Sequence, residues 1–177
     1  MLQLYTIGHG QLGMAEIFAV LKPLSIRIIV DIRTRMDMVT SGNFTESEVR
    51  VMAESQAMDY HWAGRQLQQQ FISNKKSIHS ALHTPLQSFA DRIVSEGFQR
   101  SMAQLISLAH KAPLVILAKE VEIGHCTRRI IADYLTLQAC LVTHLYADKQ
   151  AELHSLSTEA RRESAALIYD RHAKGAK

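Results

Sequence analysis

Apolar residues along this chain alternate between two periods. Leu2 to Ile7 forms a short apolar run that stops at Gly8-His9-Gly10. From Met14 to Leu21 the spacing turns helical, with Ile17, Phe18 and Leu21 on one side and Pro23 closing the segment. Ile26 to Ile32 is then almost continuously apolar, the pattern of a strand buried on both faces. A βαβ unit is therefore complete within the first third of the chain, and its crossover is expected to be right-handed.

The same alternation continues, less cleanly. A polar stretch from Thr34 to Asn43 reads as loop, and Thr45 and Glu48 have the spacing of a capping box opening a helix from about Thr45 to Ala57. Met58 to Trp62 has the makings of a third strand, and Ala63 to Pro85, rich in Gln, Ser, Asn, Lys and His, reads as a long loop over the site. Helices are expected over Leu86 to Ser95 and Phe98 to His110, then a strand from Leu114 to Lys119 and a helix from Thr127 to Ala139. Leu141 to Tyr146 gives another strand, and the charge-dense Glu159 to His172 reads as a last amphipathic helix. Strands alternating with helices predict an α/β three-layer sandwich around a mainly parallel sheet of four or five strands. The expected organisation is a single α/β domain over 1–148 with a helical extension, 149–177, packed on it.

Composition narrows the class. With 47% hydrophobic and 21% charged residues, the chain resembles an ordinary globular protein, and disorder is not expected. The absence of a long apolar run or a signal-like start predicts a cytoplasmic protein with no membrane partner. A net charge of +3 permits phosphate contacts without requiring them. Cys126 and Cys140 are too few for a disulfide scaffold and read as reduced thiols.

Candidate chemistry collects where strands end. In an open α/β sheet, ligands bind outside the carboxyl ends of the strands, which would bring His9, Asp31, Arg33, Glu120 and Cys126 to one edge. Cys126 precedes a helix that starts with Arg128 and Arg129, and both features favour thiolate, making Cys126 the expected more reactive thiol. Packing into a turn is its alternative role. Only one residue separates Cys126 from Arg128, too little for the phosphate-cradling loop of a cysteine phosphatase. Glu120 and Asp31 are candidate proton-transfer groups, and Arg33 and Arg128 candidate anion binders; a salt-bridge role is the alternative for each. Gly8-His9-Gly10 lets backbone amides approach a ligand. No pair of metal-ligand types shares a helix face or turn, so no metal site is expected. Tyr60, His61 and Trp62 with Arg65 offer aromatic faces and a cation for base stacking, or pack a core.

The residues Tyr5-Thr6-Ile7-Gly8-His9, Val30-Asp31-Ile32-Arg33, Phe44, Gly64-Arg65, Glu120, Cys126, Arg128 and Ile131-Ala132 together resemble the bacterial family known as domain of unknown function 488. The resemblance spans about Leu4 to Leu145. It implies a compact α/β domain and marks Asp31, Arg33, Glu120, Cys126 and Arg128 as characteristic polar positions, without bringing a reaction. The chain departs from the family pattern twice, with Ala118 in place of a cysteine and Cys126-Thr127-Arg128 in place of Cys-His-Arg.

These readings converge on an enzyme for a phosphate-bearing or otherwise anionic substrate, a nucleotide or a nucleic-acid base among the candidates. Asp31, Glu120 and Cys126 would carry the chemistry, and His9, Arg33, Tyr60, Arg65 and Arg128 would line the substrate site. The alternatives are a non-catalytic nucleic-acid-binding module and a thiol redox sensor, the latter disfavoured because no resolving cysteine lies nearby in sequence.

Overall fold

The computed structural model describes residues 1–40, 44–68, 76–148, 150–163 and 166–172. Six strands build the central sheet: β1 (Leu2–Gly8), β2 (Ile28–Asp31), β3 (Asp59–Trp62), β4 (Leu114–Ala118), β5 (Cys140–Leu145) and β6 (Ala151–Leu153), in the order β3-β2-β4-β1-β5-β6. The first five are parallel and β6 runs antiparallel to β5. The protein is thus an α/β sandwich with a mainly parallel sheet, one strand larger than expected.

Seven helices accompany the described strands: α1 (Met14–Leu21), α2 (Arg35–Thr40), α3 (Glu46–Ser55), α4 (Gly64–Leu67), α5 (Thr84–Ala90), α6 (Glu96–Lys111) and α7 (Thr127–Leu137). Successive strand residues face opposite sides of a sheet, so each strand feeds two cores. Leu114, Ile116 and Ala118 of β4 join Leu4, Val30 and Val142 beneath α5, α6 and α7. Val115 and Leu117 join Ile7, Ile29 and Leu145 on the other face, against Ile17, Phe18 and Leu21 of α1 and Val49 and Ala53 of α3. That double burial explains why the central strands read as continuous apolar runs.

Local chemistry sets the helix ends. Thr45 caps α3 through the expected box with Glu48, and Ser95 caps α6 by accepting from the Phe98 N–H. The expected Thr34–Asn43 loop instead holds α2. Thr34 Oγ1 accepts the Asp37 N–H, while the Asp37 carboxylate receives the Thr34 N–H at 3.0 Å, the same reciprocal device written Thr-x-x-Asp. α5 begins earlier than expected because Pro85 occupies its first turn, where a missing N–H is harmless. The expected long loop after Ala63 contains α4, and its stretch 69–75 lies outside the described residues.

The expected C-terminal helix is a β-hairpin of β7 (Ala160–Glu163) and β8 (Ala166–Tyr169). Leu167, Ile168 and Tyr169 are buried in succession, a pattern that suits a covered strand and not a helical stripe. Arg161 pairs with Asp170 across the hairpin. Ala160, Leu167 and Tyr169 pack into the core beneath α7. No helix among the described residues is long and apolar enough to cross a membrane.

Phe98 stands at the centre of the larger core, fully buried with its ring edge-on to Phe89 and Tyr134. Phe98→Ala should lower unfolding free energy by about 3–5 kcal/mol in urea titration, the cost of an uncollapsed aromatic cavity. A loss below about 1 kcal/mol would show that this contact is not central.

Candidate active site at the carboxyl edge of the sheet

The parallel strands bring the expected residues to one edge, but strand alternation divides them between its faces. Asp31 lies in register with Leu117 and Trp62. It therefore points toward α1 and α3, with Tyr60 on the same side. Thr6 lies in register with Ile116 and His144, on the α7 side.

The first network centres on Arg33, whose side chain is wholly buried with that of Asp31. Its Nε and Nη2 donate to the Asp31 carboxylate at 3.0 and 2.6 Å, and its own backbone N–H donates to Asp31 Oδ1 at 3.0 Å. Nη1 donates to the Phe44 carbonyl at 2.6 Å and lies 3.4 Å from His9 Nε2. Tyr60 OH gives Asp31 Oδ2 a further hydrogen bond at 2.7 Å. Burial, followed by the Asp31 charge, pushes the Tyr60 phenol far up, so it stays protonated. His9 stacks on Phe44 with centroids 4.3 Å apart. Burial and the Arg33 charge lower His9 from its ordinary 6.5 to about 4. A neutral His9 facing a group that only donates must present Nε2 as acceptor.

The second network surrounds Cys126, the N-cap of α7. Its thiol donates to Glu120 Oε2 at 3.2 Å. Two donors converge on the same sulfur: the Arg128 backbone N–H at 3.4 Å and Arg128 Nε at 3.3 Å. Arg128 also donates from Nη1 to Thr6 Oγ1 at 3.0 Å and from Nη2 to the carbonyls of Glu120 and Val121 at 2.6 and 3.1 Å. Glycine at position 8 is required for this packing. A Cβ there would lie 1.8 Å from the Glu120 carbonyl oxygen and 2.8 Å from Arg128 Nη2.

Burial pushes the Cys126 thiol up to about 11; Arg128 pulls it back, and the Glu120 charge adds to the rise. The expected resting thiolate is therefore not favoured. Burial also raises Cys140, which sits at the start of β5 opposite Leu2, at the other edge of the sheet.

Among the residues expected at the site, His9, Asp31, Arg33 and Tyr60 form one contiguous network, and Glu120, Cys126 and Arg128 the other. Arg65 joins neither. It is exposed on α4 and lines a cleft of about 400 Å³ with Thr34, Arg35, Trp62, Gly64 and Gln68. Arg35 lies over the Trp62 ring at 4.5 Å, and Gln68 Nε2 donates to Thr127 Oγ1 at 2.8 Å, tying the cleft wall to the first residue of α7. Sequence reading passed over Thr6, Asp133, His144 and His154, the polar residues behind Arg128. Their signal was polarity inside apolar elements, as in Leu4-Tyr5-Thr6-Ile7 and Val142-Thr143-His144-Leu145. No group of three or more metal-ligand side chains occurs among the described residues.

The family model described as domain of unknown function DUF488 matches residues 13–135, and the chain belongs to that family. No curated protein and no solved structure matches it.

His9 is lower in the folded protein than the 6.5 of an exposed histidine, so between about 4 and 6.5 the unfolded chain binds the extra proton. Its contribution is fully present above 6.5 and is lost as pH falls toward 4, on the order of 3 kcal/mol in all. His9→Gln, which keeps an acceptor facing Arg33, should flatten the fall of urea stability across that window. An unchanged slope would mean that His9 does not carry the acid sensitivity.

Proposed function

We propose that this protein is an enzyme acting on a phosphate-bearing or otherwise anionic substrate, with Cys126 as nucleophile and Glu120 as its general base. The observation that carries the reading is the surrounding of one sulfur: a carboxylate 3.2 Å away to take its proton, and two N–H donors within 3.4 Å to stabilise the charge left behind. The pairing makes a high resting pKa workable. The thiol is uncharged until a substrate arrives, and the proton moves to Glu120 as Sγ attacks. The bond from Sγ to the electrophilic atom forms as that atom's bond to the leaving group breaks, and Glu120 returns the proton to the leaving group. Water then releases the substrate fragment from sulfur.

In this reading the buried arginines organise the site and do not grip substrate. The three guanidinium nitrogens of Arg33 already donate to Asp31 and Phe44, and those of Arg128 to Cys126, Thr6 and two carbonyls. Arg65 and Arg35, lining the open cleft, supply the anion contact. Asp31, Tyr60 and His9 brace the far side of the edge.

The nucleic-acid-module reading is weaker. It needs Tyr60 and Trp62 as stacking faces, and Tyr60 is buried with its hydroxyl on Asp31 while Arg35 covers the Trp62 ring. A redox sensor that closes an internal disulfide needs a partner thiol, and Cys140 sits at the opposite edge.

Inorganic phosphate, nucleotides and short oligonucleotides should be screened by thermal shift, with intact-mass detection of sulfur adducts on a panel of phosphate esters. At least one anion should raise Tm, and the rise should shrink in Arg65→Ala. Turnover should vanish in Cys126→Ser and fall about 10²- to 10⁴-fold in Glu120→Gln. No stabilisation by any anion, together with no Cys126-dependent adduct or turnover, overturns the proposal.

A further inference from the structure

Arg128 is 1% exposed, yet no carboxylate among the described residues pairs with its guanidinium. Its donors end on a thiol, a hydroxyl and two carbonyls. A buried cation without an opposing charge is costly, so what lies behind those acceptors matters. Behind Thr6 runs a continuous chain. Thr6 Oγ1 is 2.8 Å from His144 Nδ1, His144 Nε2 is 2.9 Å from His154 Nδ1, and His154 Nε2 is 2.9 Å from Asp133 Oδ1. Asp133 also accepts from the Ser157 N–H, the Ser157 hydroxyl and the Tyr169 hydroxyl at 2.8, 2.6 and 2.8 Å.

The ends of this chain favour one polarity. Arg128 only donates, so Thr6 Oγ1 accepts from it, and His144 Nδ1 is the acceptor within reach of the Thr6 proton among its described partners. His144 then carries its proton on Nε2 and gives it to His154 Nδ1. His154 in turn carries its proton on Nε2 and gives it to Asp133, which accepts from four donors in all. In that arrangement every hydrogen bond points from the cation to the carboxylate. Burial, the neighbouring His154 and the Arg128 charge lower His144 to about 3, in keeping with a ring that stays neutral.

We infer that His144 and His154 are positioning residues for the Cys126 sulfur, linking the Asp133 carboxylate through Thr6 to Arg128 Nη1 and thereby holding Nε of the same guanidinium on Sγ. The functional meaning of this inference rests on Cys126 being the nucleophile. Its structural content does not. It makes the C-terminal segment part of the site, since His154 follows β6 and Ser157 and Tyr169 flank or belong to the hairpin. The titratable groups facing the sulfur are Glu120 and Arg128, and those facing His144 are His154, Arg128 and Asp133.

The test is the pH profile of Cys126 alkylation by iodoacetamide in a Cys140→Ser parent, with Tm measured in parallel. His144→Leu removes the acceptor for Thr6 and frees the guanidinium, which should raise the apparent Cys126 pKa by about one unit and slow alkylation about tenfold at a given pH. His144→Asn restores an acceptor near the Nδ1 position and should stay within about threefold of the parent. Thr6→Val, nearly isosteric, should reproduce the leucine effect and decides the matter if His144→Leu does not fold. Profiles of Thr6→Val and His144→Leu that match the parent, with only Tm lowered, reduce the chain to a structural role and overturn the inference. Glu120→Gln separates the two proposals. If it abolishes turnover while the relay variants leave the profile unmoved, only the relay falls. If the relay variants shift the profile but no substrate is turned over, the relay stands and the enzyme reading falls.

Discussion

Two guanidinium groups taken out of water set the terms for the carboxyl edge of this sheet. Arg33 and Arg128 are each about 1% exposed. Burying a charge is costly unless it is paired and fully hydrogen-bonded, so β1, β2, the turn after β4 and the segment before α3 each supply an acceptor. Arg33 finds a carboxylate at once, in the residue two positions earlier. Arg128 does not, and its acceptors come from β1, the turn after β4 and the cap of its own helix. The requirement reaches as far as Gly8, where a side chain would displace the Glu120 carbonyl that Arg128 needs.

The different solutions give the two faces different capacities. On the α1 and α3 side, cation and anion meet directly and are sealed by Tyr60, Phe44 and His9. Such a closed pair braces structure but offers little to a ligand. On the α7 side the compensating carboxylate is remote, and the guanidinium leans on a polarisable sulfur whose proton is shared with the exposed carboxylate of Glu120. The cleft carrying Arg65 and Arg35 adjoins this face through the Gln68–Thr127 contact.

The cysteine shows why local motif reasoning needed the fold. A helix N-terminus and two nearby arginines suggested a resting thiolate. The sequence pattern contained those attractions but not the burial that opposes them, nor the position of Glu120 beside the sulfur. Desolvation dominates, and the group is better described as a buried thiol that donates to a carboxylate.

Much of the architecture was written in period and punctuation. The doubly buried strands β1, β2, β4 and β5, the helices α1, α3, α6 and α7, and the Thr45–Glu48 cap all follow from apolar spacing and short-range hydrogen-bond chemistry, which depend only on neighbours in the chain. So did the gathering of His9, Asp31, Arg33, Glu120 and Cys126 at one edge, because parallel strands place their ends together. Short-range information failed where two structures could use the same residues. The Arg161–Asp170 segment has charges that serve a helix or a hairpin, and only packing of Leu167 and Tyr169 into the core selects the hairpin. Strand pairing alone decided that Asp31 and Thr6 face opposite sides, that Thr6 lies beside His144, and that Asp133 answers the charge of Arg128 through two imidazoles. The contacts of Thr6 with His144 and Arg128 join residues more than a hundred positions apart, and no local propensity encodes them; they exist because buried charges and polar groups had to find partners once the sheet had closed.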